Sequence, residues 1–356
     1  MEIKSSRKRL TLNDIAQLAG VSKTTASMIL NGQAEQFRIK PETRQKVEEI
    51  AKQHGYRANA YAKALKLRRT NVIGLVIPDL TNYGFASTAK TLEKLCRENG
   101  LYLVIACSDD NPQQEKQAID RLLDRQIDLL ITAPTHQDPK YYKSVLKHTL
   151  LLQLDRYVPQ LELGYVISAD TEKIAELVSL TIQRYQLKEY FYFGGQCSLS
   201  PSESRLAGFR QGLKQGNLQE ESGWILHKNY QPESGYQLMA ELVERLGRLP
   251  EAVFTASYTI LEGVLRYLTE HKQMDKLLNG QLHLATFDDH DLLNALPFHI
   301  HSIKQNHQQI AFSLFNLIRQ KLQGKPMEQL KVECEIIWRR QDDYKYSLDF
   351  SPYNNS

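Results

Sequence analysis

Between positions 11 and 31, Thr11, Ser22, Lys23, Thr24, Thr25, Ser27 and Asn31 offer hydroxyls, an amide and an amine. This is chemistry for recognising a polyanion rather than for breaking bonds. A lysine donates to guanine O6 and N7, and a threonine hydrogen-bonds or sets its methyl against that of thymine. Short hydroxyls and amides suit phosphate oxygens, which fix register and not sequence. Met28, one turn after Thr24, offers only apolar contact. Each hydroxyl taken singly could equally be a helix cap or a solvated turn residue.

A second polar set follows short apolar runs far downstream. Asp79 to Asn82 follow VIGLVIP, and Asp155-Arg156 follow TLLLQL. Arg205 lies beyond EYFYF, Ser257 follows AVFTA, and Asp288-Asp289 follow LHLATF. Carboxylates, arginines and hydroxyls with Tyr and Phe nearby suit a sugar: polar groups pair with its hydroxyls and aromatic faces cover its C–H faces. Asp79 or Ser257 alone reads more simply as the cap of the next helix. No G-x-S-x-G, H-E-x-x-H or Walker A motif is present, so no catalytic constellation stands out. His299 and His301 alternate along a strand and face one side, but no third metal ligand accompanies them. Cys96, Cys107, Cys197 and Cys334 are far apart, which suggests neither a disulfide framework nor a zinc site. No cofactor and no metal are expected.

The elements that must position these groups are legible in the apolar pattern. Leu12, Ile15, Ala16, Leu18 and Ala19 recur at helical spacing after Thr11, and Gly20 suits a helix stop. Ser22 is a credible cap for a second helix over 23–30, closed by Asn31-Gly32. Ala16, Val21, Ala26 and Ile29 can pack the two together as a helix-turn-helix. A third helix is predicted over 41–54, starting at Pro41, and a short Ala/Leu/Lys helix over 60–67. From Val72, apolar runs alternate with helix-patterned stretches, and the alternation resumes after about Ser168. Two such series imply two halves built on parallel sheets, with ligands at strand C-termini between them.

Charge separates the same two parts. Residues 1–70 carry 15 Lys/Arg against 6 Asp/Glu, and the remainder 30 against 35. A basic head on a mildly acidic body points to a polyanionic partner for the head. No run reaches the roughly 18 apolar residues of a membrane span. The opening MEIKSSRKRL lacks a signal-peptide core, so a cytoplasmic protein without a membrane partner is expected.

TLNDIAQLAGVSKTTASMILNG, PETRQKVEEIAKQHGYRANAYAKALK and RRTNVIGLVIPDLTN together resemble the start of a LacI-type regulator, and the likeness runs from Thr11 to about Trp338. The resemblance implies an N-terminal all-α, lambda-repressor-like helix-turn-helix domain plus an α/β two-lobed domain like a periplasmic binding protein. It places Lys23, Thr24 and Met28 at base-reading positions, where Met28 replaces a frequent arginine. It makes Asn59 to Leu65 a hinge helix, with Ala62 and Leu65 entering the minor groove. In the body it implies effector contacts from Asn82, Phe85, Asp155, Arg156, Arg205, Tyr230, Ser257 and Asp288. The long stretch GQAEQFRIK, and runs such as FGGQCSLSPSESRLAGF and LATFDDH, resemble the branch of sucrose and fructose repressors.

The expected layout is a DNA-binding domain over 1–58, a hinge over 59–70, an effector domain over 71–340 and a tail over 341–356. The N-lobe is expected at 71–168 and 304–325, and the C-lobe at 169–303 and 326–340. The expected function is a homodimeric repressor on a palindromic operator of sucrose-utilisation genes, released by fructose or a fructose phosphate. The tail has no heptad and predicts no tetramer. A regulator of the same fold answering fructose 1-phosphate across carbon metabolism is one alternative. A cytosolic sugar-binding protein or enzyme with a basic tail is another, and it leaves residues 11–31 unexplained.

Overall fold

The computed structural model describes residues 10–56, 69–326 and 328–339. Asn59, Ala62 and Leu65, the predicted helix at 60–67 and the tail at 341–356 lie outside the described residues. The chain forms two compact units, Met1–Asn71 and Val72–Ser356.

The first unit holds helices α1 (Leu12–Ala19), α2 (Lys23–Leu30) and α3 (Pro41–Gln53). Thr11 Oγ1 accepts from the Asp14 amide at 3.3 Å, and Asp14 accepts from the Thr11 amide at 2.7 Å. This reciprocal pairing satisfies amides that a helix start leaves over. Gly20 ends α1 at φ 66°, a conformation that favours glycine. Ser22 Oγ accepts from the Thr25 amide at 3.0 Å and so starts α2. Ile15, Ala16, Ala26, Ile29, Val47 and Ala51 form the small core, with Val21 packed against it. Alanine at 16 and 26 keeps the facing side chains small enough for α1 and α2 to pack closely.

The second unit contains two six-stranded sheets. In chain order the strands are β1 (Val72–Ile77), β2 (Tyr102–Cys107), β3 (Leu129–Thr132), β4 (Leu150–Leu154), β5 (Tyr165–Ala169), β6 (Phe191–Gly194), β7 (Ile225–His227), β8 (Ala252–Thr255), β9 (His283–Phe287), β10 (Ile300–Lys304), β11 (Gln329–Glu333) and β12 (Glu335–Ile337). The helices are α4 (Tyr83–Glu98), α5 (Pro112–Leu123), α6 (Pro139–Val145), α7 (Thr171–Tyr185), α8 (Ser200–Gln215), α9 (Pro232–Leu246), α10 (Tyr258–Glu270), α11 (Asp275–Leu278) and α12 (His307–Leu322). The first sheet runs β11-β5-β4-β3-β1-β2 and the second β12-β10-β9-β8-β6-β7. Central strands such as LLIT and AVFT are buried throughout, as parallel strands covered on both faces require.

Three details depart from the sequence reading. First, β5, β11 and β12 are strands that the apolar pattern does not reveal; their sequences, YVISA, QLKVE and EII, mix polar with apolar residues. Second, β12 pairs antiparallel with β10, so the second sheet is not wholly parallel. Third, Gln329–Glu333 belongs to the first lobe, because β11 pairs with β5; only β12 returns to the second. The chain therefore crosses between lobes after β5, after β10 and at Cys334, the single residue between β11 and β12.

The second lobe also contains an unusually close helix crossing. A Cβ on Gly235 of α9 would lie 1.9 Å from the Ile260 carbonyl oxygen, and one on Gly263 of α10 would lie 1.8 Å from that of Pro232. Only glycine at both positions permits this approach. It sets the α9 start beside the α10 start, where Thr259 Oγ1 donates to the Tyr230 carbonyl at 3.2 Å.

Candidate functional site

A cavity of about 270 Å³ lies between the two lobes. Its wall includes Asn82, Phe85, Asp155, Arg156, Arg205, Tyr230, Ser257 and Asp288. All eight residues expected from the sequence are thus brought together, from five strand ends and two helices. The same wall holds residues the sequence reading missed, among them Asp110, Ser168, Thr259, Glu262, Gln305 and His307. Asp110 and Gln305 follow β2 and β10, so the strand-end rule already pointed at them. Ser168 sits on β5, which had not been recognised as a strand.

Arg205 is the centre of the charge pattern. Its Nη1 donates to the Ala256 carbonyl at 2.8 Å, and its guanidinium carbon lies 3.9 Å from the centre of the Phe287 ring. Nη2 is 3.9 Å from Asp155 and Nε is 3.5 Å from Asp170. Burial works against the charged form, but Tyr230 and the carboxylates of Asp288, Asp155 and Asp170 outweigh it and raise the Arg205 pKa. Burial also lifts the pKa of Asp155 and of Asp170, against the pull of Arg205 in both cases. The site is held by mutual compensation: none of these groups would be a comfortable buried ion alone.

Asp155 and Asp288 both hold left-handed backbone, at φ 62° and 75°. Aspartate tolerates that region better than bulky residues do, so both turns are made without glycine. Arg156 Nη1 pairs with Asp110 at 2.5 Å. Ser168 donates to the Gln305 side-chain oxygen, and the Gln305 amide donates to Asp288 at 2.5 Å, a chain that joins β5 of one lobe to β9 of the other. The neighbouring Asp289 points away and pairs with Arg339 at 2.6 Å, while Arg339 also reaches Ser302 at 2.8 Å. Adjacent residues after a strand face different ways, so Asp288-Asp289 is not a carboxylate pair sharing one ligand.

The nitrogens Nε of Arg156 and Nε of Arg205 are buried without a hydrogen-bond partner. Each nevertheless faces a carboxylate, Arg205 Nε at 3.5 Å from Asp170 and Arg156 Nε at 3.8 Å from Asp155, so their charge is compensated without full hydrogen bonding. Asn82 is different: its side-chain oxygen accepts from the Gly84 and Phe85 amides, at 3.0 and 3.4 Å, and so starts α4. Its amide nitrogen is the end available to a ligand. Ser257 likewise caps α10, accepting from the Ile260 amide at 3.3 Å. Tyr230 donates or accepts with Ser202 at 2.7 Å, and its ring lies where a Cβ on Gly195 would meet it at 2.3 Å. Such a lining, with carboxylates, arginines and hydroxyls beside Phe and Tyr rings, is chemistry suited to a small polyhydroxylated molecule.

His301 makes no metal site with His299. Its Nδ1 accepts from the Arg339 amide at 3.3 Å, and its Nε2 meets the Tyr185 hydroxyl at 3.1 Å. Burial, then the charge of Arg184, pulls its pKa down to about 3. Among the described residues no group of three or more His, Cys, Asp or Glu is placed to hold a metal, and no helix is long and apolar enough to cross a membrane.

In the first unit, Lys23 and Thr24 are exposed at the start of α2, while Met28 is half-buried. The hydroxyls around them are already in use. Ser22 and Thr25 share a hydrogen bond of 2.8 Å, and Asn31 Nδ2 donates to the Ser27 carbonyl at 2.7 Å. Lys23 and Thr24, which no such bond engages, are the more exposed of the three residues expected to read bases, and Met28 the less exposed.

Comparison with known proteins agrees with both halves of this description. Residues 11–59 match the family described as bacterial regulatory proteins, lacI family, and residues 73–326 match a periplasmic binding protein domain. The chain is 41% identical to a sucrose operon repressor of Klebsiella pneumoniae, over 91% of this chain and 96% of that one. It is 34% identical to a catabolite repressor/activator of Escherichia coli K12, over 87% and 91%. Among solved structures, the Cra regulator of Pseudomonas putida with fructose 1-phosphate aligns at TM-score 0.68 and 28% identity, over 76% and 99%. A lac repressor dimer bound to operator and an anti-inducer aligns at TM-score 0.79 and 20% identity, over 93% and 98%, a likeness of fold.

Proposed function

This chain belongs to the lacI family of bacterial regulatory proteins, and we propose that it represses sucrose-utilisation genes and is released by fructose or a fructose phosphate. It is a transcription regulator and not an enzyme. The observation that carries the effector half is the Arg205 centre, where the guanidinium groups of Arg205 and Arg156 and the carboxylates of Asp155 and Asp288 line one cavity. Asn82, Phe85, Arg156, Tyr230 and Ser257 complete the contacts to the sugar. Identity of 41% to a sucrose operon repressor supports the choice of genes.

On DNA, Lys23, Thr24 and Met28 read bases. Thr11, Ser22, Thr25, Ser27 and Asn31 hold the frame that presents them and meet phosphates with their remaining capacity. Asn59, Ala62 and Leu65, outside the described residues, are assigned to minor-groove contact by the family resemblance alone. Two heads reading a near-palindrome require a homodimer with two-fold symmetry. Sugar must bind the low-affinity arrangement more tightly, and operator must then weaken sugar binding by the same factor.

A thermal-shift series with fructose, fructose 1-phosphate, fructose 6-phosphate, glucose and sucrose tests the effector. A fructose-type ligand should raise the melting temperature in proportion to its occupancy, and should release a bound operator. No shift with any fructose derivative removes the assignment. The second reading, a fructose 1-phosphate-responsive regulator of many operons, is favoured by the 34% identity to a catabolite repressor/activator and the likeness to Cra. Genome-wide mapping of bound sites separates them: sites confined to sucrose genes support the first, and sites across central metabolism support the second.

A further inference from the structure

We propose that Glu262 sets the specificity of the cleft, tipping it toward an uncharged sugar and against the phosphate of the same sugar. The inference rests on the reading of this cleft as the seat of a fructose-type effector. Five carboxylates and two guanidinium groups border the cavity, with no lysine among them. A sugar phosphate carries a charge of about −2 at neutral pH, so it needs cations that are free to turn toward it.

Neither arginine is free in that sense. Arg156 is bonded to Asp110 at 2.5 Å. Arg205 donates to the Ala256 carbonyl, lies over the Phe287 ring and stands between Asp155 and Asp170. Each cation is already matched by acids, and a phosphate entering beside it would meet those acids as well. His307 borders the same cavity. Burial lowers its pKa, against a pull from Asp288, so the ring adds no positive charge at neutral pH.

Two of the five acids have no guanidinium beside them. Asp79 turns back on its own loop and accepts from the Thr81 amide and hydroxyl. Glu262 does not. It stands on α10, three residues after Thr259, so the two share the helix face that borders the cavity. Thr259 shares a hydrogen bond of 2.8 Å with Ser257 and donates to the Tyr230 carbonyl, which leaves the Glu262 carboxylate as the open acceptor of that face. Glu262 keeps contact with water, yet the protein around it desolvates the carboxylate enough to raise its pKa, against a pull from His290. A carboxylate so placed accepts from sugar hydroxyls and repels a phosphate.

Calorimetric titration of the full chain with fructose, fructose 1-phosphate and fructose 6-phosphate at pH 7.5 tests this. Fructose should bind the unaltered protein at least about 10-fold more tightly than either phosphate. Glu262→Gln keeps the shape and an acceptor oxygen but removes the charge. It should move the ratio of fructose to phosphate affinity about 5- to 10-fold toward the phosphates. Glu262→Asp keeps the charge and should keep the preference. Added salt should narrow the preference of the unaltered protein more than that of Glu262→Gln. A ratio in Glu262→Gln within twofold of the original overturns the proposal, whether the affinities hold or fall together. So does binding of either phosphate by the unaltered chain as tightly as fructose. Binding of none of the three overturns the reading of the cleft itself, an outcome told apart because fructose then fails along with its phosphates.

Discussion

The head and the cleft treat the same polar chemistry in opposite ways. In the head, Thr11, Ser22, Thr25 and Asn31 turn their side chains back on their own helix ends and remain in contact with water. In the cleft, Arg205, Arg156 and Asp170 are buried, Asp155 and Asp288 are partly buried, and the charges compensate one another. DNA supplies a strong field and a fixed spacing of charge, so a DNA-reading face needs rigid presentation more than a pre-built pocket. A small neutral or singly functionalised sugar supplies neither, and the protein must carry the whole arrangement itself.

The most severe way to break this contrast is Arg205→Ala. It strips the shared cation from Asp155, Asp170 and Asp288, and should weaken the effector by at least about 100-fold. Sugar-free operator binding should stay within about threefold, read by anisotropy with and without fructose. Persistence of normal release would move the cleft centre away from Arg205.

Gly235→Val acts by displacement rather than by charge. A side chain cannot occupy a point 1.9 Å from the Ile260 carbonyl oxygen. The two helices must part, at a cost of about 3 kcal/mol or more, and carry Tyr230 and Ser257 out of register. Denaturant unfolding should show the loss in the body transition, and calorimetry should show weaker sugar binding.

Acid should also divide the two regions. The His301 pKa is pulled from its usual 6.5 to about 3, so the fold prefers the neutral ring. That contribution is present above pH 6.5 and is lost as pH falls from 6.5 toward 3, at about 1.4 kcal/mol per pH unit. Unfolding of the body followed from pH 7.5 to 5 should show this slope, and His301→Asn should flatten it. A slope that survives the substitution places the titrating group elsewhere.

Ser22→Ala should have the smallest effect, about 1 kcal/mol, confined to the head. Operator affinity should fall with head stability while sugar affinity is unchanged. A loss of affinity with the head's melting temperature intact would show that Ser22 acts on phosphate and not as a cap.

Much of this architecture is legible in the sequence. Gly20, Ser22 and Pro41 announce helix boundaries because each has a local backbone reason to be there, and the three head helices fall within a residue of expectation. The long apolar strands announce themselves because burial on both faces excludes polar residues. The edge strands β11 and β12 escape detection for the complementary reason: they are largely open to water and carry Lys331, Glu333 and Glu335. The assignment of Gln329–Glu333 to the wrong lobe follows from that blind spot. In the cleft, residues just after a recognised strand were found, and Ser168, which lies within an unrecognised one, was not. Arg205 drew attention through the run it sits in. Its partner Asp170 did not, because a carboxylate ahead of a helix is an ordinary sight.

One residue, Cys334, joins β11 in one sheet to β12 in the other. Successive Cα atoms are held about 3.8 Å apart, so this junction cannot stretch. The lobes therefore cannot slide past or lift away from each other at that edge; they can only pivot about it. The other two crossings then act as guides that select the axis. Displacement grows with distance from such a junction, so connectivity leaves the far margins of each sheet the most freedom to move and the edge at Cys334 the least.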